Sequence, residues 1–498
     1  MIKILSTNQI RELDAYTIEH RPIASIDLME SACHALFTWF TQNYFPTVKV
    51  GVVCGTGNNG GDGLGVARLL KDAGYNVVVW VIRGGGAESS DFKINLERLS
   101  GKVEIKVITD KVHPETFSNV DILLDAIFGS GLSRPAEGIY AQVIQCINGL
   151  SIDKIAIDIP SGLMADKPSD GSILKAKHTL SFQVPKLAFL FPQNHEFVGN
   201  WVLLDIGLHK DFLKQIDTPY YYFTQKDVRR ILRVRSKFDH KGKFGHALLI
   251  AGSYGKMGAA VLASRAALRS GLGLLTVHVP AAGYDIIQTS VPEAMASIDA
   301  EHNFFSVCPT LSGYSVIGIG PGLGQSKETV KAIGEILQQV KVPMVMDADA
   351  LNILGANPEL MTLIPTGSIL TPHPKEFERL VGSWKNEFER LEKQKRLAKD
   401  MKSVIVVKGA FTSIAGAGGE VYFNSSGNPG MAKGGSGDVL TGILTGLMSQ
   451  GYPAIHAAQL GVFLHGFAGD LAGYEKGMNS LIPTDIVEFL PEAFKRSG

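Results

Sequence analysis

The chain has 498 residues, which is more than one hydrophobic core usually supports, so we expect at least two domains. Apolar residues make up 45% of it and charged residues 19%, a composition that excludes an intrinsically disordered chain. The formal net charge is zero, so no basic excess indicates nucleic acid as the main partner.

The cysteines and the apolar runs bear on the cellular compartment. The four cysteines lie far apart and form no CxxC pair, which is typical of a reducing compartment and predicts neither a disulfide nor a zinc site. No apolar run approaches the ~18 residues that span a bilayer, and the segment Met1–Ser6 does not have the pattern of a signal peptide. We therefore expect a cytoplasmic protein with no membrane partner.

The first half of the chain alternates helical and extended patterns. Amphipathic periodicity predicts helices at 6–20, 25–43 and 62–73. Continuous apolar runs predict buried strands at Val48–Cys54, Val77–Ile82, Asp121–Ile127, Lys154–Ile159, His178–Phe182 and Trp201–Asp205. Strands of this kind separated by helices predict a three-layer α/β domain, in which helices cover both faces of a mostly parallel sheet.

The pattern weakens near 212–235, where Tyr220–Phe223 is followed by the charged stretch Lys226–Lys243. We place the domain boundary near 215–225, which gives domains at 1–218 and 225–498. Beyond the boundary the alternation returns, which predicts a second α/β domain. Its strands are predicted at Ala247–Ala251, Leu274–Val279, Val316–Ile319, Met344–Met346, Ile369–Thr371 and Val404–Val407, and its helices at 257–270, 326–339, 438–450 and 453–475.

A glycine-rich turn at Gly55–Gly63 is the strongest functional signal in the first half. Its glycines let the backbone approach an anion closely, and the helix that follows supplies free N–H donors. The turn also matches the GxGxxG dinucleotide pattern, but the acidic residue expected after the next strand is absent, since that strand is followed by Arg83. The alternative, a tight turn with no ligand, does not need the polar residues Asn58, Asn59 and Asp62.

Two further polar turns follow predicted strands. Asp125 precedes the turn Gly129–Arg134, and Asp158 begins the run Asp-Ile-Pro-Ser that ends at Ser161. Ligands of open α/β sheets bind outside the carboxyl ends of the strands, so the three motifs should converge. Asn59, Asp125 and Ser161 supply hard oxygen atoms suited to a hard cation, and Asp158 can act as a general acid or base if burial raises its pKa. The alternative for each Asp alone is a turn or helix cap.

In combination, Gly-Asn-Asn-Gly-Gly-Asp-Gly, Asp-Ala-Ile-Phe-Gly-x-Gly-Leu and Asp-Ile-Pro-Ser-Gly resemble the NAD(P)HX epimerase family, which acts on hydrated NAD(P)H, over roughly residues 1–215. The resemblance implies a Rossmann-like fold, a potassium ion held by Asn59, Asp125 and Ser161, and Asp158 as the catalytic acid or base. It implies substrate contacts from Asn58, Asn59, Gly60, Gly61, Asp62, Gly129, Ser130, Gly131, Leu132, Ser133, Arg134, Pro135 and Asp158. Ser130 stands where many relatives have Thr, and the shared hydroxyl predicts little consequence.

The reaction implied for this half inverts the hydroxyl on C6 of the reduced nicotinamide ring. The hydroxyl leaves and returns on the other face, while the ring nitrogen stabilises a cationic intermediate. This requires a proton donor and acceptor near C6 and a negative environment for the cation, both of which a carboxylate supplies.

The main functional signal of the second half is the segment Asn428–Asp438. Its glycine-rich end leads through Gly437 into the apolar helix predicted at 438–450. Free N–H groups at that helix start favour a developing negative charge, and Asp438 lies where it could take a proton from an attacking hydroxyl, as in phosphoryl transfer. The alternative is that Asp438 is an ordinary helix cap.

Other motifs follow predicted strands of this half. Lys408–Thr412 is a candidate nucleotide contact, and Gly318–Gly324 is a second glycine-rich strand end. His373 lies between two prolines, which restricts its orientation and suits a substrate contact, although a lone histidine is more often structural. Asp347 and Glu376 are candidate groups that hold Mg²⁺ through its water ligands.

Together these motifs resemble the NAD(P)HX dehydratase family of the ribokinase-like superfamily, over about 225–495. The resemblance implies a ribokinase-like α/β fold with Asp438 as a catalytic residue. It implies that hydrated NAD(P)H is bound by Ala260, Gly322, His373 and Asp438, and the nucleotide by Lys408, Gly409, Ala410, Phe411, Thr412 and Gly437. Lys433 stands where relatives often have Thr or Ser, and Ser436 where Thr is frequent. Lys433 either alters a nucleotide contact or faces solvent.

The leading hypothesis is metabolite repair, in which R- and S-NAD(P)HX are interconverted and S-NAD(P)HX is dehydrated to NAD(P)H. The resemblance implies Mg²⁺ with ADP as phosphoryl donor, giving AMP and phosphate, because fused bacterial members use ADP. Eukaryotic relatives use ATP, and no residue decides between the two. The resemblance also implies a homo-oligomer. Two alternatives stay open: a ribokinase-like kinase of a vitamin-like alcohol with an N-terminal nucleotide-binding module, and an N-terminal half that is a non-catalytic sensor or scaffold.

Overall fold

A computed structural model describes all residues, 1–498, and the chain divides into two units. One unit spans Lys3–Thr218, and the other comprises Met1–Ile2 with Pro219–Gly498. The second unit begins before residue 225, because Tyr220–Phe223 is a strand of its sheet. None of the helices is both long and apolar enough to cross a membrane.

The N-terminal unit is built on a sheet of seven parallel strands, which are numbered after the short first strand β1 (Ile2–Lys3). The spatial order is β4-β3-β2-β5-β6-β7-β8. The order reverses between β2 and β5, which is where ligands bind in open α/β sheets. The strands are β2 Lys49–Cys54, β3 Asn76–Ile82, β4 Glu104–Ile108, β5 Ile122–Ala126, β6 Asp153–Ile157, β7 His178–Phe182 and β8 Asn200–Leu204.

All six strands predicted for this half are present. The edge strand β4 was not predicted, because its sequence Glu-Ile-Lys-Val-Ile is mostly exposed and lacks the continuous apolar run of a buried strand. Helices cover both faces of the sheet, and apolar side chains of β2, β3 and β5 fill the core on either side. The helices are α1 Thr7–His20, α2 Ser25–Asn43, α3 Asn58–Asp72, α4 Ser90–Leu99, α5 Gly138–Asn148, α6 His195–Val198 and α7 Lys210–Gln215.

Helix α3 begins four residues before its predicted start at residue 62. Gly57 is its N-cap, so the glycine-rich segment forms the first turns of the helix rather than a loop that precedes it. No side chain caps this helix, and the N–H groups of its first turn are therefore free to meet a ligand.

The second unit has an eleven-stranded sheet that also includes β1. The spatial order is β1-β9-β18-β17-β16-β15-β14-β13-β10-β11-β12, and β17 is antiparallel to both of its neighbours, β16 and β18. All six strands predicted for this half are present. The strands are β9 Tyr220–Phe223, β10 His246–Ile250, β11 Leu274–Val279, β12 Met295–Ile298, β13 Val316–Ile319, β14 Met344–Met346, β15 Ile369–Leu370, β16 Val404–Val407, β17 Ser413–Ala415 and β18 Val421–Asn424.

Small residues place the helix Ser436–Ser449 (α15) directly against the helix Met257–Arg269 (α9). A Cβ atom on Gly442 would lie 2.1 Å from the carbonyl oxygen of Ala263, and one on Gly446 would lie 2.6 Å from that of Ala267. This close packing fixes the start of α15, which carries Asp438. The helices of the unit are α8 Gln225–Ile231, α9 Met257–Arg269, α10 Tyr284–Ser290, α11 Lys327–Gln339, α12 Ala348–Ala356, α13 Pro374–Val381, α14 Glu387–Asp400, α15 Ser436–Ser449, α16 Ala454–Lys476 and α17 Pro483–Ser497.

Candidate active sites

A cavity of about 850 Å³ opens at the carboxyl ends of the strands of the N-terminal unit. It is formed by the start of α3, the turns after β5 and β6, and one face of α1. Most residues predicted to contact substrate in this half line it, namely Asn58, Asn59, Asp62, Gly129, Ser130, Gly131, Leu132, Ser133, Arg134, Pro135 and Asp158. The three motifs that were expected to converge therefore do so.

Gly60 and Gly61 do not line this cavity. A Cβ atom on Gly60 would lie 1.9 Å from the carbonyl oxygen of Gly55, and one on Gly61 would lie 2.8 Å from the sulfur of Met29. Both glycines therefore let α3 pack closely against the preceding turn and against α2, which explains them without a ligand.

Asp125 and Ser161 form a buried pair at the ends of β5 and β6, and neither lines the cavity. The Ser161 hydroxyl donates to Asp125 Oδ1 at 2.6 Å, and the Ser161 N–H donates to Oδ2 at 2.8 Å. Burial raises the pKa of Asp125 to about 6, although the hydrogen bonds from Ser161 and Ile127 oppose the shift. No lysine or arginine pairs with this carboxylate. Asn59 lies on the cavity side, beside Gly129, and its amide nitrogen has no hydrogen-bond partner.

Asp158 is held by a lysine that the sequence analysis did not single out. Lys186 is 1% exposed and donates to Asp158 Oδ1 at 2.6 Å, while the N–H of Ser130 donates to Oδ2 at 3.0 Å. Burial alone would raise the pKa of Asp158, but the Lys186 ammonium and these hydrogen bonds lower it below its ordinary value. The condition under which Asp158 was expected to act as a general acid or base, a pKa raised by burial, is therefore not met. A single lysine within the apolar run Val184–Phe191 was the available signal.

Asp14 is a second cavity residue that sequence reasoning missed. It lies on α1, which was recognised only as an amphipathic helix. Burial and the nearby Asp158 carboxylate raise the pKa of Asp14 to about 7, with an opposing effect from Lys186. The pKa of Asp62, which also lines the cavity, is raised well above its ordinary value by burial and by the charges of Asp158, Asp14 and Asp91.

In the second unit, the start of α15 meets the carboxyl ends of β14 and β16. Asp347 follows β14 and is 1% exposed, and its two carboxylate oxygens accept from Lys408 Nζ at 2.7 Å and from the Thr441 hydroxyl at 2.9 Å. A Cβ atom on Gly437 would lie 3.4 Å from Lys408 Nζ, so the predicted nucleotide contacts Gly437 and Lys408 are neighbours. No side chain caps α15, whose first turn carries Asp438.

Asp438 is partly buried and forms neither a hydrogen bond nor an ion pair. Burial and the Asp347 carboxylate raise the pKa of Asp438 to about 6, although Lys408 opposes the shift. A carboxyl group with this pKa exchanges a proton readily at neutral pH, which suits a general base. Because it makes no cap hydrogen bond, Asp438 is not an ordinary N-cap.

The segment Lys408–Thr412 is the turn between the antiparallel strands β16 and β17. The N–H of Gly409 donates to the Thr412 hydroxyl at 3.2 Å, which in turn donates to the Gly409 carbonyl at 2.9 Å. Ala410 and Phe411 form the tip of this turn. The predicted nucleotide-binding segment is therefore a well-defined turn whose lysine points towards α15.

His373 is the N-cap of α13. Its Nδ1 accepts from the N–H groups of Lys375 and Glu376 at 3.1 and 3.3 Å, and its Nε2 lies 3.3 Å from a Glu376 oxygen. Partial burial and the charges of Lys408 and Arg379 lower the pKa of His373, which favours the neutral ring. The capping role explains the residue structurally, while 44% exposure of its side chain leaves it accessible to a ligand.

Gly322 and Ala260, two predicted substrate contacts, are differently placed. Gly322 adopts a φ of 66°, and its carbonyl accepts from the Ser253 hydroxyl at 2.7 Å, so its turn requires glycine. The side chain of Ala260 is fully buried in the core against Gly252, and it therefore offers no surface to a ligand.

Three further residues of this unit have defined contacts. His465 on α16 lies 3.2 Å from the Ser436 hydroxyl, and burial lowers its pKa to about 4. Asp349 accepts from the N–H of Gly324 at 2.8 Å and so joins α12 to the glycine-rich strand end. Lys433 is exposed and donates to the carbonyl of Asn479 at 2.9 Å, so its ammonium group is directed to the surface of this unit.

Two family models match the chain. The model described as YjeF-related protein N-terminus matches residues 25–188, and the model described as NAD(P)H-hydrate dehydratase matches residues 247–492. Each match lies within one of the two units.

Relatives and solved structures extend this finding. A protein of Moorella thermoacetica named bifunctional NAD(P)H-hydrate repair enzyme is 35% identical over 98% of this chain and 96% of its own. One of Thermofilum pendens with the same name is 33% identical over 99% of this chain and 96% of its own. A crystal structure of a ribokinase-like superfamily protein from Enterococcus faecalis is 28% identical, covers 57% of this chain and 98% of its own, and has a TM-score of 0.51. The predicted ribokinase-like fold is thereby confirmed.

Proposed function

Because this chain belongs to the family of bifunctional NAD(P)H-hydrate repair enzymes, we propose that its two units repair both epimers of one damaged coenzyme. The N-terminal unit interconverts R- and S-NAD(P)HX, and the second unit dehydrates S-NAD(P)HX to NAD(P)H with ADP as phosphoryl donor. The observation that carries the proposal is that the likeness to these relatives spans both units, each of which has its own group of carboxylates at the carboxyl ends of its sheet.

The dehydratase chemistry follows from the start of α15. Asp438 removes the proton from the C6 hydroxyl, which attacks the terminal phosphorus of the nucleotide. The uncapped N–H groups of α15 and the ammonium of Lys408 stabilise the charge that develops on the phosphoryl oxygens. Phosphate then leaves C6 as a better leaving group than hydroxide, and loss of the C5 proton restores NAD(P)H. With ADP as donor, the released products are AMP and phosphate.

Magnesium fits this site as an ion that keeps most of its water. Asp347 and Glu376 offer carboxylates on either side of Lys408, whose Nζ lies 2.7 Å from an Asp347 oxygen and 3.9 Å from a Glu376 oxygen. No group of three or more histidines, cysteines or acidic residues forms a cage for a metal. Such a donor set suits Mg²⁺ bound mainly by nucleotide phosphates and water, where it neutralises phosphate charge. We assign the water-mediated contacts to Asp347 and Glu376.

A potassium ion fits the N-terminal unit. We assign it to Asn59, Asp125 and Ser161, which together offer amide, carboxylate and hydroxyl oxygens. Asp125 is a fully buried carboxylate with no basic side chain beside it. Burial raises its pKa because the charged form is disfavoured, and a bound cation would offset that effect. A bound cation supplies positive charge next to the turn that carries Phe128 and Gly129.

The remaining expectations concern assembly and compartment. All four cysteines are free, which supports a reducing compartment and hence the cytoplasm as the site of the reaction. We also propose a homo-oligomer, and native mass spectrometry of the purified chain would give its state.

The experiment that tests the function uses the full chain and a mixture of R- and S-NADHX. With MgCl₂, KCl and ADP, we expect complete recovery of NADH from both epimers. The absorbance of the reduced nicotinamide measures this recovery, and chromatography resolves the two epimers. ATP in place of ADP identifies the better donor, and NaCl in place of KCl tests the ion. If neither epimer changes, the repair function is wrong. A stable phosphorylated alcohol formed from another substrate would instead identify a ribokinase-like kinase.

A further inference from the structure

We propose that Asp14 carries the proton in the epimerisation, and that Asp158 serves as a fixed negative charge rather than as the acid or base. This inference rests on the proposed epimerase function of the N-terminal unit. Asp14 lies outside residues 25–188, the part of the chain that the N-terminal family model matches.

The position of Asp14 follows from the face that α1 turns towards the cavity. Thr7, Ile10, Arg11 and Asp14 all line the cavity, and their spacing of i, i+3, i+4 and i+7 puts them on one side of the helix. Leu13, which also lines the cavity, and Thr17 lie on the adjoining side of the helix, where both are buried. Asp14 is therefore directed into the cavity by the helix itself.

Hydrogen bonds fix this helix relative to Asp158. The Thr7 hydroxyl donates to the carbonyl of Ser130 at 3.2 Å, and the N–H of the same Ser130 donates to Asp158 at 3.0 Å. Arg11 adds a bond to the carbonyl of Gly131 at 3.3 Å. One substrate-lining turn thus joins α1 to Asp158. At the other end of the helix, Thr17 accepts from the N–H of His209 at 3.0 Å.

The two carboxylates differ in what they bind. Asp158 has both oxygens occupied, by Lys186 at 2.6 Å and by the Ser130 N–H at 3.0 Å, and it forms an ion pair that protonation would break. Asp14 makes no hydrogen bond and no ion pair, so its carboxyl group is free to meet a substrate hydroxyl. Of these two carboxyl groups, Asp14 alone can gain and lose a proton without breaking an existing interaction.

The charges around Asp14 set its protonation. Asp158 and Asp62 repel its ionised form and Lys186 attracts it, while Arg11, Arg134 and Glu137 also line the cavity. Burial and the Asp158 carboxylate raise the pKa of Asp14 to about 7 against the opposing effect of Lys186, so both forms are populated at neutral pH. Asp62 is less accessible to a substrate, because it is buried, whereas Asp14 is only partly buried.

The reaction then balances with one carboxyl group. Asp14 in its acid form gives its proton to the C6 hydroxyl, the C6–O bond breaks, and water leaves as the N1 lone pair forms a C6–N1 double bond. The charge of Asp158 helps to stabilise the resulting cation. Water attacks C6 from the other face, the π electrons return to N1, and Asp14 takes back the proton. No oxidant, reductant or further reactant is consumed.

The test measures epimer exchange by the full chain in KCl without any nucleotide, so that dehydration cannot contribute. We expect Asp14→Asn to lower kcat about 10²- to 10³-fold with little change in KM. For the wild type, kcat/KM should fall about tenfold per pH unit above pH 7 as Asp14 loses its proton, and Asp14→Asn should lose this dependence. Asp14→Glu should restore part of the rate and the pH dependence. Glu12→Gln, an exposed change on the same helix, is the matched control and should behave as wild type.

Folding is checked within the same chain. Nucleotide-dependent dehydration of S-NADHX by the second unit should be unchanged in Asp14→Asn, and the unfolding of the N-terminal unit should stay cooperative. If Asp14→Asn retains more than about half of the wild-type exchange rate, or if the wild-type rate does not depend on pH between about 6 and 8, the role given to Asp14 is overturned. Absence of exchange in the wild type would instead overturn the epimerase function itself.

Discussion

The two units use the same arrangement of charges on different folds. In the N-terminal unit, Lys186 pairs with Asp158 at 2.6 Å and a second carboxyl group, Asp14, has a pKa raised to about 7. In the second unit, Lys408 pairs with Asp347 at 2.7 Å, and Asp438 has a pKa raised to about 6. Each site therefore contains one carboxylate that is paired with a lysine and one carboxyl group whose pKa is raised towards neutral pH.

The difference lies in where the proton-exchanging group occurs in the sequence. Asp438 stands in a glycine-rich helix start, and the motif points to it directly. Asp14 stands on an ordinary amphipathic helix, while the aspartate marked by a motif, Asp158, is the paired one. A motif thus reports a backbone geometry that brings a side chain to the site, and the partner of that side chain decides its protonation.

The largest expected effect tests the second site alone. Asp438→Asn should lower ADP-dependent dehydration of S-NADHX about 10²- to 10⁴-fold, because an amide cannot accept the hydroxyl proton. Epimer exchange by the N-terminal unit should be unchanged. Asp285→Asn, an exposed aspartate of the same unit, is the control. A dehydration rate within tenfold of wild type would show that Asp438 is not the general base of the second unit.

The next effect distinguishes the two lysines. Lys186 is 1% exposed, so Lys186→Met leaves a buried carboxylate without its partner and should destabilise the N-terminal unit by about 3–5 kcal/mol. The side chain of Lys408 is 22% exposed and Asp347 keeps its bond from Thr441, so Lys408→Met should cost about 1–2 kcal/mol. Thermal unfolding at neutral pH measures both, and tryptophan fluorescence reports mainly the N-terminal unit, since Trp39, Trp80 and Trp201 lie in it. Equal losses of stability in the two variants would show that the deeper burial of Lys186 does not make its ion pair more important for folding.

A third effect compares the two glycine-rich helix starts. A Cβ atom on Gly60 would meet the Gly55 carbonyl at 1.9 Å, so Gly60→Ala should destabilise the N-terminal unit by about 1–3 kcal/mol, although alanine normally favours a helix. On Gly437 the nearest atom is the mobile Lys408 Nζ at 3.4 Å, so Gly437→Ala should leave stability unchanged and lower dehydration, roughly tenfold. Urea unfolding measures the stability of both variants, and the rate of S-NADHX dehydration measures the activity of the second unit. An unaffected stability in Gly60→Ala would favour a ligand contact over packing.

Much of the fold could be read from the sequence, because buried parallel strands are continuous apolar runs. The strands that were not predicted lie in environments other than the buried interior of a parallel sheet. The edge strands Glu104–Ile108 and Met295–Ile298 are partly exposed. The short strands Ser413–Ala415 and Val421–Asn424 form an antiparallel hairpin, and the second of them also pairs with Tyr220–Phe223, which is distant in the sequence. The start of α3 was misplaced because glycine and asparagine disfavour helix, whereas close packing of Gly60 and Gly61 stabilises it there.

The site was predictable where glycine-rich turns mark it, and the lining of the cavity by Gly129–Pro135 follows the motif. Protonation was not predictable, because the pKa of Asp158 depends on Lys186, which is 28 residues away in the sequence. Ala260 illustrates the same limit, since the motif around it is real but its side chain packs into the core. Tertiary contacts, rather than residue types, decide these cases.

The smallest expected effect is on stability, and it separates a titrating Asp14 from a paired Asp158. The pKa of Asp14 is about 7 in the folded chain against an ordinary 3.8, so the folded state keeps a proton that the unfolded state releases. The stability contributed by Asp14 is therefore full below pH of about 4 and is lost as the pH rises through about 7. The lowered pKa of Asp158 has the opposite sign, since its contribution is present above its ordinary value and is lost on acidification.

Asp14→Asn removes the titrating group, so its effect on stability should depend on pH. We compare the free energy of unfolding of the variant with that of the wild type at pH 5 and at pH 8. The difference should shift in favour of the variant by on the order of 1 kcal/mol between these pH values, after allowance for the partial exposure of Asp14. This corresponds to about 2–4 °C in Tm. Glu12→Gln should show no such dependence, because that side chain is exposed. A difference from wild type that is the same at both pH values would mean that Asp14 does not titrate in this window. The N-terminal unit would then lack the proton-exchanging carboxyl group that the second unit has in Asp438.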